Sequence, residues 1–433
     1  MPAIEQRNIV FCLFDSLSAA DSVSGSVLNA LPTLATLCNG GVLFNRVYAP
    51  NPESSPARAS LFTGLDPCAH GLWTNGVTLP DHERTFAQRL AQAGYTNYLA
   101  GRYQLSGLSH WTTEQTRTGE FTNADWAHGP LHRSRQNGYL VWLQETAPEK
   151  YAQIFTSQAN SADTLQTPQQ RTAIEALPDE LSFNYWVGQQ IGEWIASHSP
   201  DQPFMAMAGF SVGDGLGTEP HKDTDVEALM PLALKQADAA MGQILNQLEH
   251  SNLAKQTVFI VASARGCTSG DTTGNQALHE SLIKVPVVIY GGSFRQQTID
   301  ATVSTIDIAP TILDIVNLSV GARMQGQSLL DVINESKKPR GWAMSRLRTN
   351  LSTGESNWHT ALCKNAMKLV VHHNDKKDAQ ELIQLYNLDG DPAEQDNLAV
   401  QETHAQDLES MIDQMIDARC ALEDRTEPRI ADF

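Results

Sequence analysis

The order of strand-like and helix-like segments is the feature that most restricts how this chain can fold. Apolar runs of strand length alternate with segments of helical periodicity along the first three hundred residues. The strand-like runs are NIVFCLF, TNYLAG, FMAMAGFSV, TVFIVAS and VPVVIYGG, and the helix-like segments include ERTFAQRLAQAG, NYWVGQQIGEWIASHS and ALKQADAAMGQILNQLEHSN. This order predicts an α/β fold with a large, mostly parallel sheet covered by helices on both faces. Ligands of such sheets bind where the strands end, so the residues after each strand are the first candidates for a site.

Two other segments indicate how the chain is organised. Residues 109–180 are polar and rich in Ser, Thr and Gln, which predicts an excursion from the core. The stretch NESKKPRG predicts a boundary between an α/β domain over residues 1–335 and a C-terminal subdomain over residues 336–433. In that subdomain, AMKLVVHH and ELIQLYNLDGDPAEQDNLA predict a small antiparallel sheet, and a helix is expected to follow it.

Charge and cysteine usage exclude several classes of function. The chain has 30 Lys and Arg against 49 Asp and Glu, and this net charge of −19 disfavours binding to nucleic acid and to acidic membranes. No apolar run has membrane-spanning length, and the six cysteines form no CxxC pair of the kind that binds zinc. The first residues lack the features of a secretion signal, so a cytoplasmic protein is expected. Any bound anion must then be held by a local cluster of arginines.

The stretch PNPESSPARASLFTG carries the strongest local signal. Ser55 suits a helix N-cap, a proline follows in the first turn, and Gly64 suits the position after the last turn. A helix of these bounds would place Ser54 at its positive N-terminus and Arg58 one turn further on, an arrangement that can hold a tetrahedral oxyanion. Taken alone, the same pattern also fits a capped helix with a surface arginine.

The same stretch resembles the signature of sulfatases and the related phosphonate monoester hydrolases. That signature is a Cys or Ser, any residue, Pro, any residue, Arg, and then a run that ends in Leu-x-Thr-Gly. The matching residues are Ser54, Pro56, Arg58, Leu61, Thr63 and Gly64. The resemblance continues through NIVFCLFDSL, SLIKVPVVIYGG and STIDIAPTILDI, and it implies an alkaline-phosphatase-like sandwich. It also implies that Ser54 is the nucleophile, converted to formylglycine, and that Arg58 is its neighbouring cation, with calcium or manganese stabilising the transition state.

Other positions of the family pattern are changed in this chain. Asp15 matches the metal-binding aspartate after the first strand. The motif Ser/Thr-Asp-His/Asn-Gly, which supplies two metal ligands in the family, reads Ser263-Ala264-Arg265-Gly266 here, and neither alanine nor guanidinium can coordinate a cation. The family's lysine and histidine in Gly-Lys-Trp-His become Arg102 and Gln104, and a later Pro-His becomes Gly213-Asp214. Asp15 is therefore the only surviving candidate ligand, and no bound metal is expected.

These changes are interpreted as a degenerate active site that has become an anion-binding pocket. Arg265 is expected to replace the metal and to pair with Asp15. The pocket groups are the anion-binding Arg58, Arg102, Gln104 and Arg265 and the counter-charges Asp15 and Asp214. A non-catalytic pseudo-sulfatase would hold a small sulfate-, phosphate- or carboxylate-bearing ligand there, and a homo-oligomer is possible. Two alternatives stay open: a purely structural salt-bridge network, and an active hydrolase of sulfate, phosphate or phosphonate esters that uses Ser54 with calcium or manganese.

The histidines add little to this interpretation. His70 matches a common family position and is expected to pack structurally. His372 and His373 fall in the predicted C-terminal sheet and are expected at the surface. The remaining candidates have no firm place in the family pattern: His110, His128, His132, His221 and His279.

Overall fold

A computed structural model describes residues 7–20, 22–23, 25–108, 111–155, 168–212, 226–267, 277–349, 357–373 and 382–423. Within them, nine strands form one mixed sheet in the order β4-β3-β5-β1-β6-β7-β2-β8, with β9 paired to β2. The strands are β1 Asn8–Phe14, β2 Val42–Tyr48, β3 Thr96–Gly101, β4 Asn123–Trp126, β5 Phe204–Phe210, β6 Thr257–Ser263, β7 Lys284–Gly291, β8 Gln297–Ile299 and β9 Val303–Ser304.

The central strands of this sheet are parallel, as the alternation of strands and helices predicts. The strands β4, β3, β5, β1 and β6 all run in one direction, and only β7 is antiparallel to its two neighbours, β6 and β2. All residues of β1, β5 and β6 are buried, which fits strands that are covered on both faces. The predicted α/β fold is therefore confirmed, and the carboxyl ends of β1, β2, β3, β5 and β6 share one edge.

Helices cover both faces of the sheet. Alternate residues of β1 point to opposite faces, so Phe11 packs in one apolar core and Cys12 in the other. The first core includes residues of α3, α5, α12 and α13, and the second includes residues of α2, α6, α9 and α10. The helices are α1 Gly25–Leu28, α2 Pro32–Gly40, α3 Ser54–Thr63, α4 Pro67–His70, α5 Phe86–Gln92, α6 Gly138–Thr146, α7 Pro148–Phe155, α8 Pro168–Glu175, α9 Phe183–Ser197, α10 Val226–His250, α11 Glu280–Ile283, α12 Ile308–Ile315, α13 Leu329–Ile333 and α14 Ala405–Glu423. No helix in the described ranges combines the length and apolar character that a bilayer-spanning segment needs.

The polar excursion over 109–180 is partly built into the core. Its strand β4 extends the main sheet at the edge next to β3, and its helix α6 buries Tyr139 and Leu143 in the second apolar core. The abundance of Ser, Thr and Gln reflects the exposed positions of this segment. Composition therefore does not reveal the few apolar side chains that anchor it. The excursion therefore also contributes side chains, such as His128 after β4, at the carboxyl ends of the strands, where a ligand would bind.

The C-terminal part forms a separate four-stranded antiparallel sheet, as predicted, while the domain boundary near residue 335 stays a prediction. Its strands lie in the order β10-β11-β12-β13. The bounds are β10 Ala343–Thr349, β11 Asn357–Lys364, β12 Met367–His373 and β13 Ile383–Asn387. One face packs against α14 through Met411 and Met415, and the other packs against Tyr48 and Ile283 of the main domain. The small sheet therefore borders the segment that leads from β2 into α3.

The expected surface position is wrong for His372, whereas His373 is partly exposed. His372 is buried on the face of the small sheet opposite α14, where its Nδ1 lies 2.7 Å from Nδ1 of His359 and its Nε2 lies 3.1 Å from Oε1 of Gln384. His373 is half-buried and its Nε2 lies 3.2 Å from Oγ1 of Thr360. Both faces of this sheet are covered, so alternation along β12 leaves neither ring fully in solvent.

Candidate functional site

The candidate residues lie at one edge of the main sheet, where parallel strands end together. Asp15 follows β1, Arg102 follows β3, Ser211 follows β5 and Arg265 follows β6. The N–H of Arg102 donates to the carbonyl of Gly209 at 3.1 Å, and a Cβ atom at Gly209 would collide with the backbone of Arg102. A glycine is needed at that position because the two chain segments touch.

Helix α3 presents the signature. It begins at Ser54, two residues earlier than predicted, because Glu53 rather than Ser55 is the N-cap residue. The side chain of Asn51 accepts the N–H of Glu53 at 2.7 Å and holds the turn that starts the helix. The prediction for the other end is confirmed, since Gly64 adopts the left-handed conformation with φ 69°.

Arg58 is not a surface residue. Its side chain is 0% exposed, and its Nη1 donates to the carbonyl oxygen of Tyr103 at 3.3 Å and to that of Arg102 at 3.5 Å. These contacts join α3 to the turn that follows β3. The interpretation of the stretch as a capped helix with an exposed arginine is therefore wrong, since this guanidinium is enclosed at the sheet edge.

Asp15 is buried and paired, although with a different arginine from the predicted one. Its Oδ2 accepts from the guanidinium of Arg102 and from the hydroxyl of Ser211 at 3.1 Å, while its Oδ1 accepts the N–H of Val212 at 3.0 Å. The predicted pairing with Arg265 is not what the structure has. Gly209, Phe210 and Ser211 of the β5 segment lie between β3 and β1 here. The long side chain of Arg102 spans this segment to reach Asp15.

Arg265 contacts the position of the nucleophile instead. Its Nε donates to Oγ of Ser54 at 2.9 Å, and its Nη1 donates to the carbonyl of Gly266 at 3.1 Å. The backbone of Arg265 is fixed as well, because its carbonyl accepts from the hydroxyl of Ser263 at 2.7 Å and from the N–H of Leu17 at 3.0 Å. The loop after β6 thus aims a guanidinium at the first residue of α3.

Glu53 is a site residue that the sequence reading missed. Burial raises the pKa of its carboxyl, while the N–H of Asn75, the side chain of Thr74 and the charge of Arg265 oppose that shift. The N–H of Asn75 donates to its Oε2 at 2.8 Å. A carboxyl group beside Ser54 with a raised pKa is a candidate proton carrier. Its only sequence signal is its place directly before the signature serine.

The described oxygen donors fall short of a site for a hard divalent cation. Both carboxylate oxygens of Asp15 already accept hydrogen bonds, and the hydroxyl of Ser16 donates to Gly266 at 3.0 Å. Ala264 and Arg265 supply no donor, and no group of three or more His, Cys, Asp or Glu side chains in the described ranges is placed to hold a metal. Calcium needs six or more oxygens, several of them anionic, so this donor set does not fit the family's metal. Asp214, His110 and His221 lie outside the described residues.

Gln104 is held by the excursion rather than by its own strand. Its backbone is left-handed, with φ 59°, and its buried side-chain oxygen has no hydrogen-bond partner among the residues that the structure describes. Glu114 organises this turn by accepting the N–H groups of Gln104 at 2.8 Å, Leu105 at 2.6 Å and Ser106 at 3.0 Å, and also the indole N–H of Trp126 at 3.2 Å. Burial raises the pKa of Glu114. Sequence reading missed this carboxylate because nothing in its local pattern shows its partners.

The histidines divide into structural and site-lining groups. His70 is structural, as expected: its Nδ1 accepts the N–H of Leu72 at 3.1 Å, its Nε2 lies 2.9 Å from Oγ of Ser60, and burial lowers its pKa to about 3. His128 lies beside the Asp15–Arg102 pair, with its Nε2 3.3 Å from Nη2 of Arg102. The remaining described candidates are His132, whose ring lies 5.1 Å from that of His128, and His279, the N-cap of α11.

A mixed α/β sheet of this order, with a serine at the first residue of a helix and buried arginines around it, defines an alkaline-phosphatase-like protein. The family model described as "Sulfatase" matches residues 7–318, and the model described as "N-sulphoglucosamine sulphohydrolase, C-terminal" matches residues 274–421. The chain belongs to the sulfatase family.

Its relatives agree with this assignment. The chain is 22% identical to the N-acetylglucosamine-6-O-sulfatase of Bacteroides thetaiotaomicron, with 91% of this chain and 83% of that protein covered. It is 23% identical to an arylsulfatase of Clostridium perfringens, with 93% and 92% covered. Among solved structures, the phosphonate monoester hydrolase of Silicibacter pomeroyi superposes with a TM-score of 0.74 at 19% identity and covers 97% of this chain and 96% of its own. The structural likeness concerns the fold.

Proposed function

We propose that this sulfatase-family protein binds a small oxyanion at the edge pocket and does not hydrolyse it. The hydrogen bond from Arg265 Nε to Ser54 Oγ carries the proposal. A nucleophilic serine needs a neighbour that accepts its proton or a metal that lowers its pKa, and a guanidinium does neither. Ser54 is therefore held by a cation that suits an anion and not by a group that activates an attack.

The charges around the pocket support a bound anion. Arg58, Arg102 and Arg265 bring three guanidinium groups to this edge, where Asp15 pairs with Arg102 and the charge of Arg265 acts on the Glu53 carboxyl. Guanidinium groups bind sulfate, phosphate and carboxylate groups through paired N–H donors. Three clustered guanidinium groups in a chain of net charge −19 favour a ligand that is small and anionic. The relatives are named for sulfate and phosphonate esters, which contain such groups.

One observation favours the alternative, an active hydrolase. Ser54 occupies the nucleophile position of the signature at the N-terminus of α3, and Glu53 beside it has a carboxyl whose pKa is raised by burial. Activity of the family type would require conversion of Ser54 to formylglycine and a divalent cation. Oxygen ligands for that cation would then have to come from residues outside the described ranges.

Three measurements on the purified full-length chain separate the two proposals. Calorimetry with sulfate should give nearly equal affinities for wild type and Ser54→Ala, and neither protein should turn over 4-nitrophenyl sulfate. Elemental mass spectrometry after dialysis, and again after incubation with calcium, manganese or magnesium, should find no retained metal. About one tightly held divalent ion per chain, together with aryl sulfate turnover that Ser54→Ala abolishes, would overturn the proposal and support the hydrolase.

A further inference from the structure

A second arginine site lies beside the proposed pocket, in the small C-terminal sheet. Arg348 of β10 lies between two tryptophans, with its Cζ 5.2 Å from the ring centroid of Trp73 and 4.9 Å from that of Trp358. The two indole centroids are 5.7 Å apart and their planes make an angle of 70°. All three side chains are half-buried. The rings restrict the guanidinium to a narrow range of orientations through cation–π contacts.

This guanidinium has no anionic partner in the part of the chain that the structure describes. Within the described ranges, its Nε and the indole Nε1 of Trp358 are buried without a hydrogen-bond partner, and its terminal nitrogens make no hydrogen bond or ion pair. Arg346, two residues earlier on the same face of β10, lies 3.7 Å from Asp66 and 3.1 Å from Glu423. Arg340 also stacks on a tryptophan, with its Cζ 4.8 Å from the ring centroid of Trp342, yet its Nη2 pairs with Oδ2 of Asp307 at 3.0 Å. Arg348 differs from both because, among the described residues, its guanidinium is ordered by the two indole rings alone.

The position of this site links it to the segment that carries Ser54. On one side, the N–H of Arg346 donates to the carbonyl of Pro50 at 2.8 Å, and the side chain of Asn51 donates to the carbonyl of Arg346 at 2.8 Å. On the other side, Asn75, two residues after Trp73, accepts the N–H of Ser55 at 2.9 Å. Both walls of the site are therefore attached to the residues that start α3.

We infer that Arg348, held between Trp73 and Trp358, binds the carboxylate of a small ligand. A guanidinium offers parallel N–H donors whose spacing matches a planar carboxylate, and a guanidinium without a protein counter-ion gains most from one. Pre-ordering by the two rings reduces the entropy that binding costs. The site goes beyond the proposed oxyanion pocket and does not depend on it, since none of the pocket side chains takes part.

The test uses 4-fluorobenzoate and its neutral analogue 4-fluorobenzamide, followed by fluorine NMR titration of the full chain. Wild type should bind the benzoate in preference to the benzamide. Arg348→Gln should weaken benzoate binding by roughly tenfold or more, because a charged hydrogen-bonded pair is lost. Arg348→Lys keeps the charge, is expected to fold normally and should also weaken binding, since an ammonium lacks the paired donors.

Two controls make the result decisive. Arg295→Gln removes one exposed arginine beyond the far end of β7, at the opposite edge of the sheet, and should leave benzoate binding unchanged. Arg265→Gln should also leave it unchanged, although the same substitution should weaken sulfate binding if the proposed pocket is correct. Absence of benzoate binding by wild type, equal binding by Arg348→Gln, or loss of binding in Arg265→Gln would each overturn the inference. Failure of sulfate to bind would overturn the pocket alone.

Discussion

Arg265 and Ser54 are 211 residues apart in the chain, and a 2.9 Å hydrogen bond joins the guanidinium Nε of one to the hydroxyl of the other. The resemblance to sulfatases places metal ligands at Ala264 and Arg265 and the nucleophile at Ser54. In this protein the positive charge next to the serine belongs to the side chain of Arg265. A fixed guanidinium provides positive charge for an anion at all accessible pH values but leaves no open coordination position for an activated nucleophile.

Replacing Arg265 with glutamine should weaken sulfate binding by roughly tenfold or more, because a charged donor is replaced by a shorter, neutral amide. Isothermal titration calorimetry at fixed, low ionic strength measures the change. Arg295→Gln, at the opposite edge of the sheet, is the matched control for loss of one positive charge. Sulfate affinity that is unchanged in Arg265→Gln would show that Arg265 is only structural.

The family motif can be restored by the double substitution Ala264→Asp and Arg265→Asn. This variant adds one carboxylate and one amide oxygen near Asp15 and Ser54, and we expect calcium to stabilise it. At ten times the dissociation constant, the stabilisation should be about 1.4 kcal/mol. Thermal unfolding with and without calcium measures it. The variant with Asn at both positions adds no carboxylate and should respond less, as should wild type; an equal calcium response in wild type would contradict the idea that Arg265 replaces the metal.

The sequence predicts those parts of the protein that depend on local patterns. The apolar run of β1 and the glycine after α3 are examples, because burial on both faces and a left-handed cap each leave a mark on neighbouring residues. The residues around Asp15 in the sequence do not indicate which arginine pairs with it. Arg102 and Arg265 both follow strands that end at the same edge, and Asp15 pairs with Arg102 although β6, which precedes Arg265, is the direct neighbour of β1. Glu114 was missed for the same reason, since its partners come together only in the folded excursion.

Glu114→Gln should destabilise the protein and also weaken sulfate binding. The carboxylate accepts three backbone N–H groups and one indole N–H, and an amide would turn N–H donors toward some of them. Burying unpaired donors should lower the free energy of unfolding by about 2–3 kcal/mol. Urea denaturation gives this value, and a sulfate titration reports on the turn that carries Gln104. The exposed Glu145→Gln is the matched control, and equal stability of the two variants would contradict the assigned role.

Glu120 should make the stability depend on pH near neutrality. Its carboxylate accepts the hydroxyl of Thr85 at 2.6 Å and that of Tyr103, whose backbone carbonyl binds Arg58. Burial raises the pKa of Glu120 from 4.5 to about 7. Between these values the folded protein holds a proton that the unfolded chain has released, so the free energy of unfolding falls as the pH rises through this window, by roughly 3 kcal/mol at most.

The substitution Glu120→Gln tests this linkage, because an amide cannot titrate and still offers an acceptor to one hydroxyl and a donor to the other. Wild type should be favoured over the variant at pH 5 and should lose that advantage by pH 8. Urea denaturation of both proteins at the two pH values measures the change, and the difference between them cancels the titration of groups they share. An advantage of wild type that is the same at both pH values would show that Glu120 ionises at the same pH in the folded and unfolded chains.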